Sequence, residues 1–125
     1  MHWLSDNFLR IARKEIQEEL DVLKQILAHC SNDIDISNHA KNIERHVHKI
    51  KGLAPMMDQK DVGDIAKMVD VLLKHVIANG TLVGIHQILL ESNLVMKEIF
   101  NGIVTNDAKE FKNKLQKTFS DILNQ

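Results

Sequence analysis

The chain predicts an all-α protein, and three observations carry that expectation. Apolar residues recur at alternating steps of three and four along most of its length. No stretch alternates apolar and polar residues in the manner of a half-buried strand. One proline and five glycines in 125 residues leave few breaks, so the periodic segments run long. They group into five, over about 5–29, 36–57, 59–78, 82–103 and 107–123, joined by links of a few residues. Links that short make successive helices antiparallel neighbours. The expected architecture is one domain over 1–125, an up-down-up-down four-helix bundle with an additional C-terminal helix.

Ser5 or Asp6 suits the cap of the first helix. In it Leu9, Ala12, Ile16, Leu20, Leu23, Leu27 and Cys30 form a heptad-like seam opposite a polar face of Arg13, Lys14, Glu18, Asp21, Lys24 and Gln25. Ser31-Asn32-Asp33 interrupts the pattern, and Asp35 or Ser37 is expected to cap the second helix. There Ala40, Ile43, Val47, Ile50, Ala54 and Met57 lay one apolar stripe. Pro55 has no N–H to donate and crowds the carbonyl of Lys51, so the helix kinks or ends beside it. Asp58 is expected to begin the third helix, whose inner stripe is Val62, Ile65, Val69, Leu72 and Val76, broadened by Met68 and Leu73. Ala78-Asn79-Gly80 closes it, glycine supplying the left-handed conformation. The fourth helix is expected to bury Ile85, Ile88, Leu89, Ser92, Met96, Ile99 and Ile103. Leu90 and Leu94 lie off that stripe as a second apolar patch, suited to receive the fifth helix through Phe111, Leu115, Phe119 and Ile122.

Composition narrows the function classes. At 44% hydrophobic and 26% charged the chain is long enough for one core and too short for two. Sixteen Lys and Arg are interspersed with 17 Asp and Glu for a net charge of −1, which argues against a nucleic-acid partner, since a duplex binder needs a basic patch. No run of 18 apolar residues is present to span a bilayer, and the segment from Met1 to Asp6 lacks the basic and apolar regions of a signal peptide. The expected compartment is the cytoplasm. The single cysteine, Cys30, fits that setting and is expected to pack at the end of the first helix. A well-covered bundle of this size gives no reason to expect more than a monomer.

The chemistry concentrates in His48-Lys49-Ile50-Lys51-Gly52. With Ile43 set at zero and about 100° per residue, the apolar stripe stays within roughly 40° of zero, while His48 falls near ~140° and Gly52 near ~180°. His48 is therefore expected to face water. Gly52 lies one turn beyond it on the same face, where a glycine costs on the order of 1 kcal/mol relative to alanine and no turn is called for. The missing side chain leaves room for another molecule to approach the imidazole. Lys51 puts a cation beside the ring, and Lys41 and Arg45 share the outer face. An exposed imidazole, bare on one side and flanked by cations, suits a phosphoryl group.

These residues resemble the His-x-x-Lys-Gly signature of histidine phosphotransfer domains, most like the N-terminal phosphotransfer domain of CheA-type chemotaxis histidine kinases. The resemblance runs from about Phe8 to Gly102, with Asn79-Gly80 closing the third helix and Leu89-Leu90-Glu91 on the fourth. It implies that His48 is the phosphoacceptor, charged by a histidine-kinase ATP-binding domain or a receiver aspartyl phosphate and discharged to the aspartate of a response-regulator receiver domain. It also implies that an acidic side chain on the third helix, here Asp70, accepts a hydrogen bond from the ring nitrogen that is not phosphorylated. The family usually has glutamate there, one methylene longer. Lys67 matches a position near the histidine and is expected to help neutralise phosphate. Leu53-Ala54-Pro55-Met56-Met57-Asp58 replaces a small, glycine-rich stretch of the family, which alters the partner-facing surface at Pro55.

Nothing in the sequence resembles a nucleotide-binding loop, so no cofactor is expected in this domain, with ATP and Mg2+ belonging to partners. No His-x-x-x-His or Glu-x-x-His pair shares a helix, so no metal is expected. His46, near the edge of the buried stripe, is expected to pack or to make a local hydrogen bond. Two rival expectations remain. One is a phosphorylation-incompetent helical module that docks receiver or kinase domains through Lys41, Arg45, His48 and Pro55. In the other the chain is the N-terminal domain of a complete kinase.

Overall fold

A computed structural model describes residues 5–103 and 107–124. Residues 1–4, most of the segment without a signal-peptide pattern, lie outside the described residues, as do 104–106 and 125. The described residues contain no strand. They form α1 (Asp6–Ala28), α2 (Asp33–Leu53), a 3₁₀ turn (Pro55–Met57), α3 (Lys60–Asn79), α4 (Ile85–Phe100), α5 (Asp107–Thr118) and α6 (Ser120–Leu123). The first four pack as a helical bundle, α2 most extensively on α3, with α1 against α2 and α4 and with α4 against α3. The predicted stripes meet in one core. Ile16, Leu20 and Leu23 of α1, Ile43, Val47 and Ile50 of α2, Ile65, Val69 and Leu72 of α3, and Ile85 and Met96 of α4 are all buried in it. Each such side chain contributes roughly 1.5–3 kcal/mol by leaving water. Among the described residues no helix is long and apolar enough to cross a membrane.

Helix ends depart from expectation, and each departure has a local cause. α2 begins at Asp33, because Asn32 rather than Asp35 or Ser37 is its cap and accepts a hydrogen bond from the Asp35 amide at 2.8 Å. Asp33 itself serves another helix. Its two carboxylate oxygens accept the amides of Gly84 and His86 at 3.0 and 2.8 Å, satisfying the exposed N–H groups at the start of α4. Gly84 precedes that start with φ 89°, so α4 begins at Ile85 and not at Leu82. At its other end α4 stops at Phe100, with Gly102 at φ 75°, which leaves Ile103 half exposed and outside the core that was expected to bury it. α2 ends at Leu53, two residues before Pro55. Asp58 does not begin α3: it takes a left-handed φ of 57° after the 3₁₀ turn, and the helix starts at Lys60.

The expected fifth helix is two. Phe119 breaks it at φ −121°, ψ 36°, and its ring is buried with Phe111 and Leu115. α5 packs against α3 and α4, and Lys112 fastens it to the first turn of α3 by ion pairs to Asp61 at 2.8 Å and Asp64 at 3.1 Å. The apolar patch on α4 is only partly covered, since Leu94 remains 59% exposed.

Candidate functional site

His48 stands on the outer face of α2 with its side chain 57% exposed. The close packing of α2 on α3 brings Asp70 up beside it. Nδ1 of His48 lies 3.7 Å from Asp70 Oδ2 and 3.6 Å from Glu44 Oε2, which belongs to the preceding turn of the same helix. Both separations are within ion-pair range and beyond a hydrogen bond. No hydrogen bond or ion pair engages Nε2 among the described residues.

Asp70 is the electrostatic centre of the cluster. Its side chain is 2% exposed, and a buried carboxylate survives only when cations or donors meet it. Two do: Lys51 Nζ donates to Oδ2 at 3.1 Å and Lys74 Nζ lies 3.0 Å from the same oxygen. Oδ1 is buried without a hydrogen-bond partner. Burial alone pushes the Asp70 carboxyl up, but hydrogen bonding from Glu44, Lys74 and Lys51 outweighs it and holds the group below its ordinary value. Glu44 moves the other way, raised chiefly by its hydrogen bonding to Asp70 and further by burial and by the like charge of Asp70.

The other sequence-predicted residues divide. Lys51 joins the cluster, turned onto Asp70 rather than standing beside the ring. Gly52 is exposed, and a Cβ built there meets nothing within 4 Å, so among the described residues nothing packs over it, one turn beyond His48. Arg45 is exposed on the same helix and bonded to Asn42. Lys41 lines a shallow surface pocket with Ser37, His39 and Ile77. Pro55 is exposed in the 3₁₀ turn, its ring against Gly63 of α3. Lys67 is not among the residues that reach the cluster. It lines a groove toward the C-terminal helices with Lys112 and Gln116, and the α3 lysine that reaches Asp70 is Lys74, two turns after Lys67. Glu44 and Lys74 are the members that sequence reasoning missed. Their signal was spacing: Glu44 is four residues before His48, and Lys74 four after Asp70.

Glu44, His48 and Asp70 offer ligand atoms within 4.8 Å of one another, a grouping that no motif along one helix reveals. Two ammonium groups on Oδ2 already neutralise Asp70, which disfavours a cation beside it. His46, two residues from His48, faces the opposite way. It pairs through Nδ1 with Glu19, buried on α1, which also takes Lys49 Nζ at 3.3 Å. That contact is tertiary, not local. Comparison with family models, with curated proteins and with solved structures returns no match for this chain.

Proposed function

We propose that this chain is a histidine phosphotransfer domain: an up-down-up-down bundle, acting in the cytoplasm, that carries a phosphoryl group on His48. The observation that carries the reading is an exposed imidazole whose Nδ1 is turned onto two carboxylates while its other nitrogen and the space over Gly52 stay open. In this reading Nε2 is the nucleophile. Its lone pair forms the N–P bond as the P–O bond to the donor breaks, and the electron pair of that bond leaves on the donor oxygen. The ring keeps its Nδ1 proton and becomes cationic, and Asp70 balances that charge. Lys51 and Lys74 keep Asp70 ionised beside the ring, so that it can meet that charge. The donor is a kinase ATP-binding domain or a receiver aspartyl phosphate, the acceptor a receiver aspartate, and ATP and Mg2+ stay with those partners.

Incubation with a cognate kinase and labelled ATP tests this. Wild type takes up label and His48→Gln does not; equal labelling of the two ends the proposal. A second reading, a docking module that no longer transfers phosphate, draws support from the 3.7 Å gap between His48 and Asp70 and from the exposed Pro55 and Met56. It predicts receiver binding that survives His48→Ala, with no phosphohistidine formed.

A further inference from the structure

Asp70 by itself is poorly placed for the task the reading above gives it. It stops 3.7 Å short of Nδ1, and the oxygen nearest the ring already takes both lysines. Glu44 is at least as near, at 3.6 Å, and its backbone belongs to the same helix as His48, so α2 alone fixes its approach. Its presence is hard to explain by stability. A carboxylate only 20% exposed beside a second, buried one is repelled by it once both are ionised, hydrogen bonding between the two requires a proton, and Glu44 makes no ion pair among the described residues except with His48. A group that costs stability where it stands is accounted for if a cation forms next to it.

We infer that Glu44 is a second positioning carboxylate for His48: Glu44 and Asp70 hold the Nδ1 proton between them, which keeps Nε2 unprotonated and nucleophilic and balances the ring charge once the phosphoryl group is on. This rests on the phosphoryl-carrier reading. Asp70 is buried and neutralised by Lys51 and Lys74, while Glu44 has no ion-pair partner but His48 among the described residues. The short side chain of Asp70 leaves the gap that Glu44 fills from the other side.

The test uses the whole chain, labelled with ¹⁵N in its histidine rings, and phosphoramidate as a small donor that needs no kinase. Phosphoramidate transfers its phosphoryl group as the N–P bond to Nε2 forms and its own P–N bond breaks, ammonia leaving with the electron pair. In wild type the ¹⁵N spectrum shows His48 with the proton on Nδ1. In Glu44→Gln the ratio of Nδ1–H to Nε2–H forms falls roughly three- to tenfold, the worth of one charge-assisted contact at a half-exposed site, and labelling slows by a similar factor. The denaturation midpoint of Glu44→Gln stays level or rises, because a repulsion has been removed. Lengthening the other carboxylate, in Asp70→Glu, cuts the effect of Glu44→Gln to less than half. An unchanged tautomer ratio and labelling rate in Glu44→Gln overturns the inference and leaves the carrier reading standing. Slower labelling with a lowered midpoint that Asp70→Glu does not relieve also overturns it, since that is a structural role. A wild type that phosphoramidate and kinase both fail to label, with the tautomer still dependent on Glu44, sinks the carrier reading and keeps the positioning.

Discussion

Removing the two lysines on Asp70 gives the most direct test of how this cluster is held together. Lys51 and Lys74 meet one oxygen of a carboxylate that is 2% exposed, from distances of 3.1 and 3.0 Å. Lys51 is about one-third exposed and Lys74 more than half, so solvent screens each pair and the loss of either one alone costs little. Either lysine suffices to keep the carboxylate paired. Replacing both with methionine strands a buried charge, and that costs about 3–5 kcal/mol. The double variant Lys51→Met/Lys74→Met should therefore lose more than its single variants combined. At an m-value of about 1.5 kcal/mol per M, the urea midpoint falls by roughly 2–3 M.

The pH dependence supplies the sign. In wild type the folded Asp70 carboxyl lies below its ordinary value, so its contribution is complete above about pH 4 and is lost as pH falls. Without the lysines, burial dominates and lifts the folded value above the unfolded one, so the variant recovers stability on acidification. Urea titrations at pH 7 and pH 4 should show the gap between wild type and double variant closing at the lower pH. A loss that equals the sum of the single losses and is the same at both pH values refutes the reasoning.

Three further outcomes are expected. Gly52→Ala adds a methyl group that meets nothing within 4 Å, so it should stabilise α2 by about 0.5–1 kcal/mol in thermal or urea unfolding, while Gly52→Leu slows labelling by a protein kinase more than labelling by phosphoramidate. Gly63→Ala places a Cβ 3.2 Å from Pro55 Cγ and 3.3 Å from Cδ, so it should stabilise less than Gly52→Ala, and Pro55→Ala should remove the difference, as a double-mutant cycle would read. Asp64 is held below its ordinary value first by the hydrogen bond from Lys60, and Glu91 first by that from Lys114. Both contributions are complete above the unfolded values and vanish as pH falls through the folded ones. Unfolding measured from pH 6 to pH 3 should therefore show stability falling, less steeply in Lys114→Met.

Helix content and the buried faces were legible because burial follows a period that the chain itself carries. Ile43, Val47 and Ile50 recur at steps of four and three, and each is buried to within 2%. The same arithmetic put His48 on the opposite side, where the structure has it. Helix ends were less legible, because they depend on partners far along the chain. Gly84 is the local mark of where α4 starts, but the partner that accepts its first amides is the carboxylate of Asp33, 51 residues before Gly84. The break at Phe119 likewise follows from a ring that must turn into the core.

By itself the sequence determined which residues form helices, which side of each is apolar, and that an imidazole, a lysine and a bare glycine share one outward face, since all of these are properties of one helix at a time. The tertiary structure decided what surrounds that imidazole. The register of α2 against α3 sets Asp70 within 3.7 Å of the ring and turns Lys51 onto it, and so joins two pairs that each helix makes alone, Glu44 with His48 and Lys74 with Asp70, into one cluster. Contacts between helices depend on how two surfaces interlock, and periodicity along either one carries no record of that.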